Sequence, residues 1–123
     1  MKISNLFLVL LATFLLSCAP RVGPAYIYHR DEPIEIELKD LSFKPNHFVV
    51  LKNQSPIMLL LRNADDVRHN FTLMAPDRAI ILSKDLEPEE PATVSIGFLN
   101  SDNYVFYCSF HQHRGMEGML MVD

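Results

Sequence analysis

One short stretch near the carboxyl end of the chain brings together side chains that bind soft metal ions. Cys108, His111, His113 and Met116 supply a thiol, two imidazoles and a thioether within nine residues. Sulfur ligands select copper over hard cations, and imidazole also suits copper. A single tight loop after a strand can direct the cysteine, one histidine and the methionine toward one point, which leaves a copper site one ligand short. We expect His69, far upstream in the sequence, to supply that ligand.

The cysteine count supports metal binding by Cys108. The chain has two cysteines, and the other, Cys18, follows a segment typical of export signals. If Cys18 carries a lipid, Cys108 has no disulfide partner, and a lone thiol in an oxidising compartment is intermolecular, reactive or bound to metal. The neighbouring His111 and Met116 favour metal. A buried core cysteine with chance neighbours fits these residues less well, and so does structural zinc, because methionine is not among the usual ligands of zinc.

The first residues are typical of a targeting segment and not of a folded domain. Leu6 to Leu16 is almost entirely apolar, too short to span a bilayer and of the right length for the core of a signal peptide. Residues 15–18, Leu-Leu-Ser-Cys, resemble a bacterial lipoprotein box, in which cleavage precedes the cysteine and its sulfur receives the lipid. We therefore predict a lipoprotein signal peptide at residues 1–17 and lipid attachment at Cys18.

Residues 18–33 separate this signal from the first clear strand pattern. They contain several prolines, a glycine and a cluster of charges, a composition that predicts a tether holding the domain off a membrane surface. The whole chain has a formal charge of −4, which argues against nucleic-acid binding, since that needs a clustered basic face. These features predict an exported protein on the periplasmic side of the cell envelope, anchored to a membrane by its lipid.

Short strands separated by turn residues fill the rest of the chain. From Ile34 onward apolar and charged residues alternate, which is typical of a half-buried strand. Similar alternation, or a continuous apolar run, marks further strands at 47–51, 57–61, 70–74, 94–98, 104–107 and 118–122. Residues 76–91 fit a helical turn or a strand equally well. Since no long amphipathic helix is visible, we predict an all-β Greek-key sandwich of seven to eight strands over residues 34–123.

Five phenylalanines on strand-like segments are the candidate core of this sandwich. They are Phe43, Phe48, Phe71, Phe98 and Phe106. The chain is long enough for one domain with such a core and too short for two.

Three segments of the predicted sandwich resemble the cupredoxins, the blue-copper electron-transfer family. They are His69-Asn70-Phe71 before a strand, the strand Tyr104 to Cys108 that leads into the ligand loop, and Gly115-Met116-Glu117-Gly118 that leaves it. The Cys-x₂-His-x₄-Met spacing is similar to that of plastocyanin and pseudoazurin. The resemblance covers about residues 34–123, which is the whole predicted domain.

The resemblance implies one type 1 copper ion and a role for each ligand. His69, Cys108 and His111 would lie in a trigonal plane around the copper, and Met116 would be the weak axial ligand. Asn70 would help to hold the ligand loop beside the thiolate sulfur, and such bonds tune a metal.

The choice between His111 and His113 depends on how the chain reaches the methionine. Both histidines are within reach of Cys108. Met116 has to approach the axial position from beyond the second imidazole, so the chain needs residues in which to turn. Four intervening residues, including Gly115, permit that turn more easily than two. On this requirement and on the resemblance together we favour His111 as ligand and keep His113 as the alternative.

Two functions remain open from the sequence. The resemblance implies a membrane-anchored electron carrier that exchanges electrons with a c-type cytochrome or a terminal oxidase. Four protein ligands would leave no open position for a substrate, so we do not expect an enzyme. The alternative is a periplasmic copper-handling protein, which delivers or sequesters the ion, because His113 and nearby methionines offer further copper ligands. A binuclear copper centre would need two cysteines in the loop, and only Cys108 is there.

Overall fold

Ten β-strands form almost all the regular structure in the computed structural model, which describes residues 22–29, 32–51 and 54–123. The strands are β1 (Tyr26–Tyr28), β2 (Ile34–Lys39), β3 (Ser42–Lys44), β4 (His47–Val50), β5 (Ile57–Asn63), β6 (His69–Met74), β7 (Ile80–Leu86), β8 (Pro91–Ile96), β9 (Asp102–Tyr107) and β10 (Glu117–Val122). The predicted signal peptide at 1–17 and the predicted lipid site at Cys18 lie outside the described residues. Within those residues no helix is long and apolar enough to cross a membrane.

The strands form two sheets, and the predicted all-β sandwich is confirmed. The larger sheet has six strands in the order β1-β4-β10-β9-β6-β7, and the smaller has four in the order β3-β2-β5-β8. The described residues hold ten strands where seven to eight were predicted. The additional strands are short or lie at a sheet edge: β1 and β3 have three residues each, and β7 is largely exposed on both faces. Such segments show no clear period-two alternation, because alternation needs one buried face.

The sheet begins before the predicted domain boundary at residue 34. Residues 18–33 were expected to be a tether, but Tyr26–Tyr28 pairs in parallel with β4, and Tyr28 is buried. The segment has three strand residues between proline-containing stretches. Its place in the sheet comes from the backbone ladder with β4 and from one buried ring, and neither has a clear sequence signature.

Four of the five candidate core phenylalanines pack together between the sheets. Phe43 contacts Phe71 and Phe106 edge to face, with ring centroids 5.9 and 5.1 Å apart. Phe106 is stacked between Phe48 and Phe71, at 5.2 and 5.1 Å. The prediction for Phe98 was wrong, since its side chain is 71% exposed. β8 ends at Ile96, so the alternation of the strand no longer directs Phe98 inward.

Gly118 lies where β10 crosses the core, and its lack of a side chain is a packing requirement. A Cβ at this position would overlap the Phe106 ring and would lie 2.5 Å from the carbonyl oxygen of Asn46. We expect Gly118→Ala to lower the free energy of unfolding by about 2–3 kcal/mol, the upper part of the range for overpacking, because a backbone oxygen cannot move aside as a side chain can. Chemical unfolding of the copper-free protein measures this change.

Gly97→Ala is the matched control for that substitution. Nothing lies within 4 Å of a Cβ built at Gly97, so we expect its free energy of unfolding to stay within about 0.5 kcal/mol of wild type. Equal stability of the two variants would show that the core around Phe106 adapts to the added methyl group.

Candidate metal centre

The sheet register brings the predicted ligands to one end of the larger sheet. β9 lies between β6 and β10, and Tyr107 pairs with Thr72 on one side and with Glu117 on the other. One residue further, the Cys108 N–H donates to the Met116 carbonyl oxygen at 3.1 Å. Both pairings are antiparallel, so β6 and β10 begin at the same end of the sheet at which β9 ends, and β6 extends three residues beyond Thr72 in that direction. The first residue of β6 is His69, the histidine expected from upstream.

A series of tight turns folds the loop between Cys108 and Met116. The His111 N–H donates to the Cys108 carbonyl oxygen (3.1 Å), and the Met116 N–H donates to the His111 carbonyl oxygen (3.3 Å). A short 3₁₀ turn, Gln112–Arg114, lies between these two bonds and ends at Gly115 with φ of 85°. This left-handed conformation favours glycine, which has no Cβ to clash. The chain therefore reverses within the loop and returns Met116 beside Cys108.

Three donor atoms converge in the space enclosed by this loop and β6. The Nδ1 atoms of His69 and His111 are 3.1 Å apart, and the Cys108 sulfur lies 3.8 Å from the first and 3.5 Å from the second. His69 and Cys108 are fully buried, and His111 is half-buried. Met116 is also fully buried. The sequence-predicted set therefore comes together as one site at the end of the sheet.

The separations of these atoms fit a first-row metal ion. Bonds of about 2.0 Å to imidazole and about 2.3 Å to thiolate, at angles near 120°, would place nitrogen and sulfur about 3.7 Å apart. The two observed sulfur–nitrogen distances are 3.8 and 3.5 Å. A thiolate, two imidazoles and a thioether are the donors of a blue-copper centre. His69, Cys108, His111 and Met116 are thus arranged as a type 1 copper site.

A family profile agrees with this arrangement over nearly the whole chain. The profile described as a cupredoxin-like domain matches residues 6–122. The chain belongs to the cupredoxin-like family. The resemblance seen in the ligand segments and the predicted copper cofactor are both confirmed. No curated protein sequence matches this cupredoxin-like chain.

Solved structures share the fold at low sequence identity. A dithionite-reduced auracyanin from Roseiflexus castenholzii is 20% identical, with 84% of this chain and 99% of that one covered and a TM-score of 0.65. Auracyanin A from Chloroflexus aurantiacus, described as a "blue" copper protein, is 16% identical, with coverages of 81% and 100% and a TM-score of 0.61. A copper-containing nitrite reductase from Thermus scotoductus is 19% identical with a TM-score of 0.55, but the match covers 75% of this chain and only 22% of the reductase.

Asn70 connects β6 of this cupredoxin-like chain to the ligand loop. Its backbone N–H donates a hydrogen bond to the Cys108 sulfur, 3.3 Å away. A thiolate at this position would accept that bond. Its side-chain oxygen accepts from the Ser109 N–H at 2.8 Å, and its amide nitrogen donates to the Ser109 hydroxyl at 2.6 Å. These bonds fix the first residues of the loop against β6. These contacts agree with the expectation that Asn70 helps to hold the ligand loop beside the sulfur of Cys108.

His111 is held in the form that binds a metal. The pKa of its imidazole lies below the usual value, chiefly because burial penalises the charged form and further because of electrostatic interactions with His69, Arg114 and His113. The carboxylate of Asp65 opposes this shift. A metal binds the neutral ring, so the lowered pKa favours the protonation state of His111 that can bind a metal.

His113 does not join the converging donor atoms in the described residues. It lies in the 3₁₀ turn and is exposed, while His111 supplies the nitrogen beside Cys108. The turn that returns the chain to Met116 begins at His111, since its carbonyl oxygen receives the Met116 N–H. The geometry therefore brings together the favoured set and leaves the alternative ligand outside.

Asp65 is a site residue that the sequence analysis missed. Its Oδ2 lies 2.7 Å from His69 Nε2, on the side of the ring away from Cys108. A carboxylate only accepts hydrogen bonds, so this contact requires a proton on Nε2, and a neutral ring with its proton there leaves Nδ1 bare for metal. Ligating histidines commonly have such a partner. An acidic residue four positions before the expected ligand was the available signal, but the two residues share no regular element whose periodicity would place them together.

Proposed function

We propose that this protein is an electron carrier that holds one copper ion through His69, Cys108, His111 and Met116. One observation carries the proposal: the donor atoms of His69, Cys108 and His111 converge on one point, and the neighbouring Met116 is fully buried. Bound copper supplies a one-electron couple there. Four protein ligands leave no coordination position for a substrate, which separates a carrier from a catalytic metal centre.

The surrounding hydrogen bonds favour a site that changes little between oxidation states. The Cys108 N–H donates a hydrogen bond to the Met116 carbonyl oxygen, and the Cys108 sulfur accepts one from the Asn70 N–H. His69 Nε2 is hydrogen-bonded to the Asp65 carboxylate. Cu(II) and Cu(I) prefer different geometries, and a frame that holds one intermediate geometry reduces the movement that accompanies electron gain or loss. Less movement means a lower barrier to electron transfer. The interior positions of the three buried ligands support such a frame.

His111 offers the shortest route between the copper and a partner. It is half-buried, whereas His69, Cys108 and Met116 are fully buried. The adjacent Phe110 is 39% exposed and so adds apolar surface next to the His111 ring. A partner that covers this surface would approach the copper through one imidazole.

The position of the amino-terminal residues favours a partner at the membrane. β1 runs parallel to β4, and β4 to β10, which leaves the ligand loop at Glu117. The chain thus enters β1 from the copper end, where the Gly23 N–H donates to Asn46 Oδ1 at 2.8 Å. The five residue steps from Cys18 to Gly23 span at most roughly 18 Å. A lipid on Cys18 would keep the copper end near the bilayer, within reach of a terminal oxidase or a membrane-bound c-type cytochrome.

The test of the proposed function is a visible spectrum of copper-loaded protein with a redox titration. We expect an intense absorption band in the oxidised form that disappears on reduction and returns on oxidation. The reduced protein should also keep its copper when it is dialysed against a moderate Cu(I) chelator. Rapid stripping of Cu(I), without electron exchange with a cytochrome, would instead support the alternative of copper delivery or sequestration.

We expect Cys18→Ala to move the protein out of the membrane fraction, in soluble or unprocessed form. The substitution removes the sulfur that the lipid would occupy. Fractionation of cell envelopes and the mass of the purified chain measure the change. Cys108→Ser is the control and should stay membrane-bound. A Cys18→Ala protein that is processed and retained like wild type would contradict the lipid anchor.

A further inference from the structure

A single carboxylate connects the buried ligand His69 to a turn of the smaller sheet. The Asp65 Oδ2 accepts the His69 Nε2–H at 2.7 Å and also the backbone N–H of Asp40 at 3.0 Å. The Asp65 side chain is only 17% exposed, and that of His69 is not exposed at all. The carboxylate is therefore largely removed from water while it faces a copper ligand.

The chain around Asp65 holds the carboxylate in place before any metal binds. The fully buried Asn63 accepts the Asp65 N–H through its Oδ1 at 3.0 Å. Its amide nitrogen donates to the carbonyl oxygens of Val67 (2.8 Å) and Leu86 (3.1 Å). One buried amide thus fixes the loop between β5 and β6, so the direction of Asp65 is set by the fold.

We propose that Asp65 is a positioning residue that presents His69 Nδ1 to the copper and lowers the reduction potential of the site. A hydrogen bond from Nε2–H to an anionic carboxylate increases the electron donation of the ring, which stabilises Cu(II) more than Cu(I). The negative charge itself acts in the same direction, because partial burial strengthens its attraction for the more positive ion. The inference rests on the proposed function, since it requires copper in both oxidation states.

The neighbouring cation does not cancel this charge. Arg68 lies between Asp65 and His69 in the sequence, but its guanidinium pairs with Asp85 at 2.6 Å and with Glu87 at 3.0 Å. Its Cζ also lies 5.2 Å from the centroid of the Phe110 ring. The Arg68 charge is thus engaged by two other carboxylates, and Asp65 acts on His69.

Asp65→Asn and Asp66→Asn form a matched pair for the test. Both remove one negative charge from the same loop, and Asp66 is exposed. In Asp65→Asn the amide oxygen of the new side chain can still accept from His69 and Asp40, because two N–H donors converge there, so we expect a blue site. In this variant the affinity for Cu(II) relative to Cu(I) should fall about tenfold, which raises the potential by about 59 mV. Asp66→Asn should leave the potential close to wild type.

Two outcomes of this pair would overturn the inference. Equal shifts in the two variants would show that only the net charge of the loop matters. Equal losses of Cu(I) and Cu(II) affinity in Asp65→Asn, with an unchanged potential, would show that Asp65 only stabilises the loop. Competition titrations with chelators for each oxidation state distinguish these results from the expected selective loss of Cu(II) affinity.

A measurement on the copper-free protein keeps the inference separate from the proposed function. We expect nitrogen NMR to show wild-type His69 as the Nε2–H tautomer and Asp65→Ala to lose that preference. An Nδ1–H ring in the wild type would overturn the inference whatever the variants do. By contrast, wild-type protein with this tautomer but without a reversible blue couple would contradict the electron-carrier proposal, and with it the effect on the potential.

Discussion

We expect Cys108→Ser to abolish the intense visible absorption of the copper-loaded protein. The colour of a type 1 site comes from charge transfer between a thiolate and Cu(II), and a serine hydroxyl at the same position is a hard, weak donor that cannot replace it. Cys108 is fully buried, and its sulfur lies within 3.8 Å of the Nδ1 atoms of both His69 and His111, so it is placed to be the thiolate ligand of the copper. The measurement is the absorption spectrum at equal copper and protein concentrations.

Cys18→Ser is the control, because it makes the same change at the other cysteine of the chain. We expect this variant to keep the full absorption of the wild type. The copper-free Cys108→Ser protein should still fold, since a serine oxygen can accept the Asn70 N–H that the sulfur accepts. An unchanged spectrum in a folded Cys108→Ser protein would contradict the type 1 assignment.

We expect His111→Ala to remove or recast the blue spectrum and His113→Ala to preserve it. The His111 Nδ1 lies 3.5 Å from the Cys108 sulfur and 3.1 Å from His69 Nδ1, while His113 is exposed in the 3₁₀ turn. Residues that only support a metal ligand contribute about 10–100-fold in affinity, so loss of a direct ligand should cost more than about 100-fold for Cu(II). Spectra and copper competition titrations of the two variants measure these effects.

The two histidine variants serve as controls for each other, because both remove one imidazole from the same loop. If His113→Ala loses the colour and His111→Ala keeps it, the ligand role belongs to His113. Loss of colour in both would show that the 3₁₀ turn needs both side chains in order to hold Met116 near Cys108.

The sequence determined which donors are present and which of them lie close along the chain. Cys108, His111 and Met116 occur within one loop, so a single turn can gather them, and their chemical types already favour copper. Regular alternation likewise predicted the longer strands, such as β2, which begins at Ile34, and β10, which ends at Val122. A half-buried strand must place its apolar residues on one face.

Tertiary structure decided the features that depend on partners distant in sequence. β1 at Tyr26–Tyr28 exists through its ladder with β4, and Phe98 is exposed because β8 ends two residues earlier. Neither feature has a local pattern. The turn before Met116 favours His111 over His113 as ligand, and the hydrogen bonds of the loop show that turn directly.

The contact between Asp65 and His69 is the clearest case of a feature that only the fold provides. Along the chain Asp65 is one of two adjacent aspartates that follow a strand. Its four-residue spacing from His69 does not by itself place it beside the ring, because the two residues share no regular element. The buried amide of Asn63 and the turn at Asp40 turn one carboxylate toward the copper ligand and leave the other exposed. Donor chemistry is a property of residue types, whereas the direction of a loop side chain depends on hydrogen bonds from several strands at once.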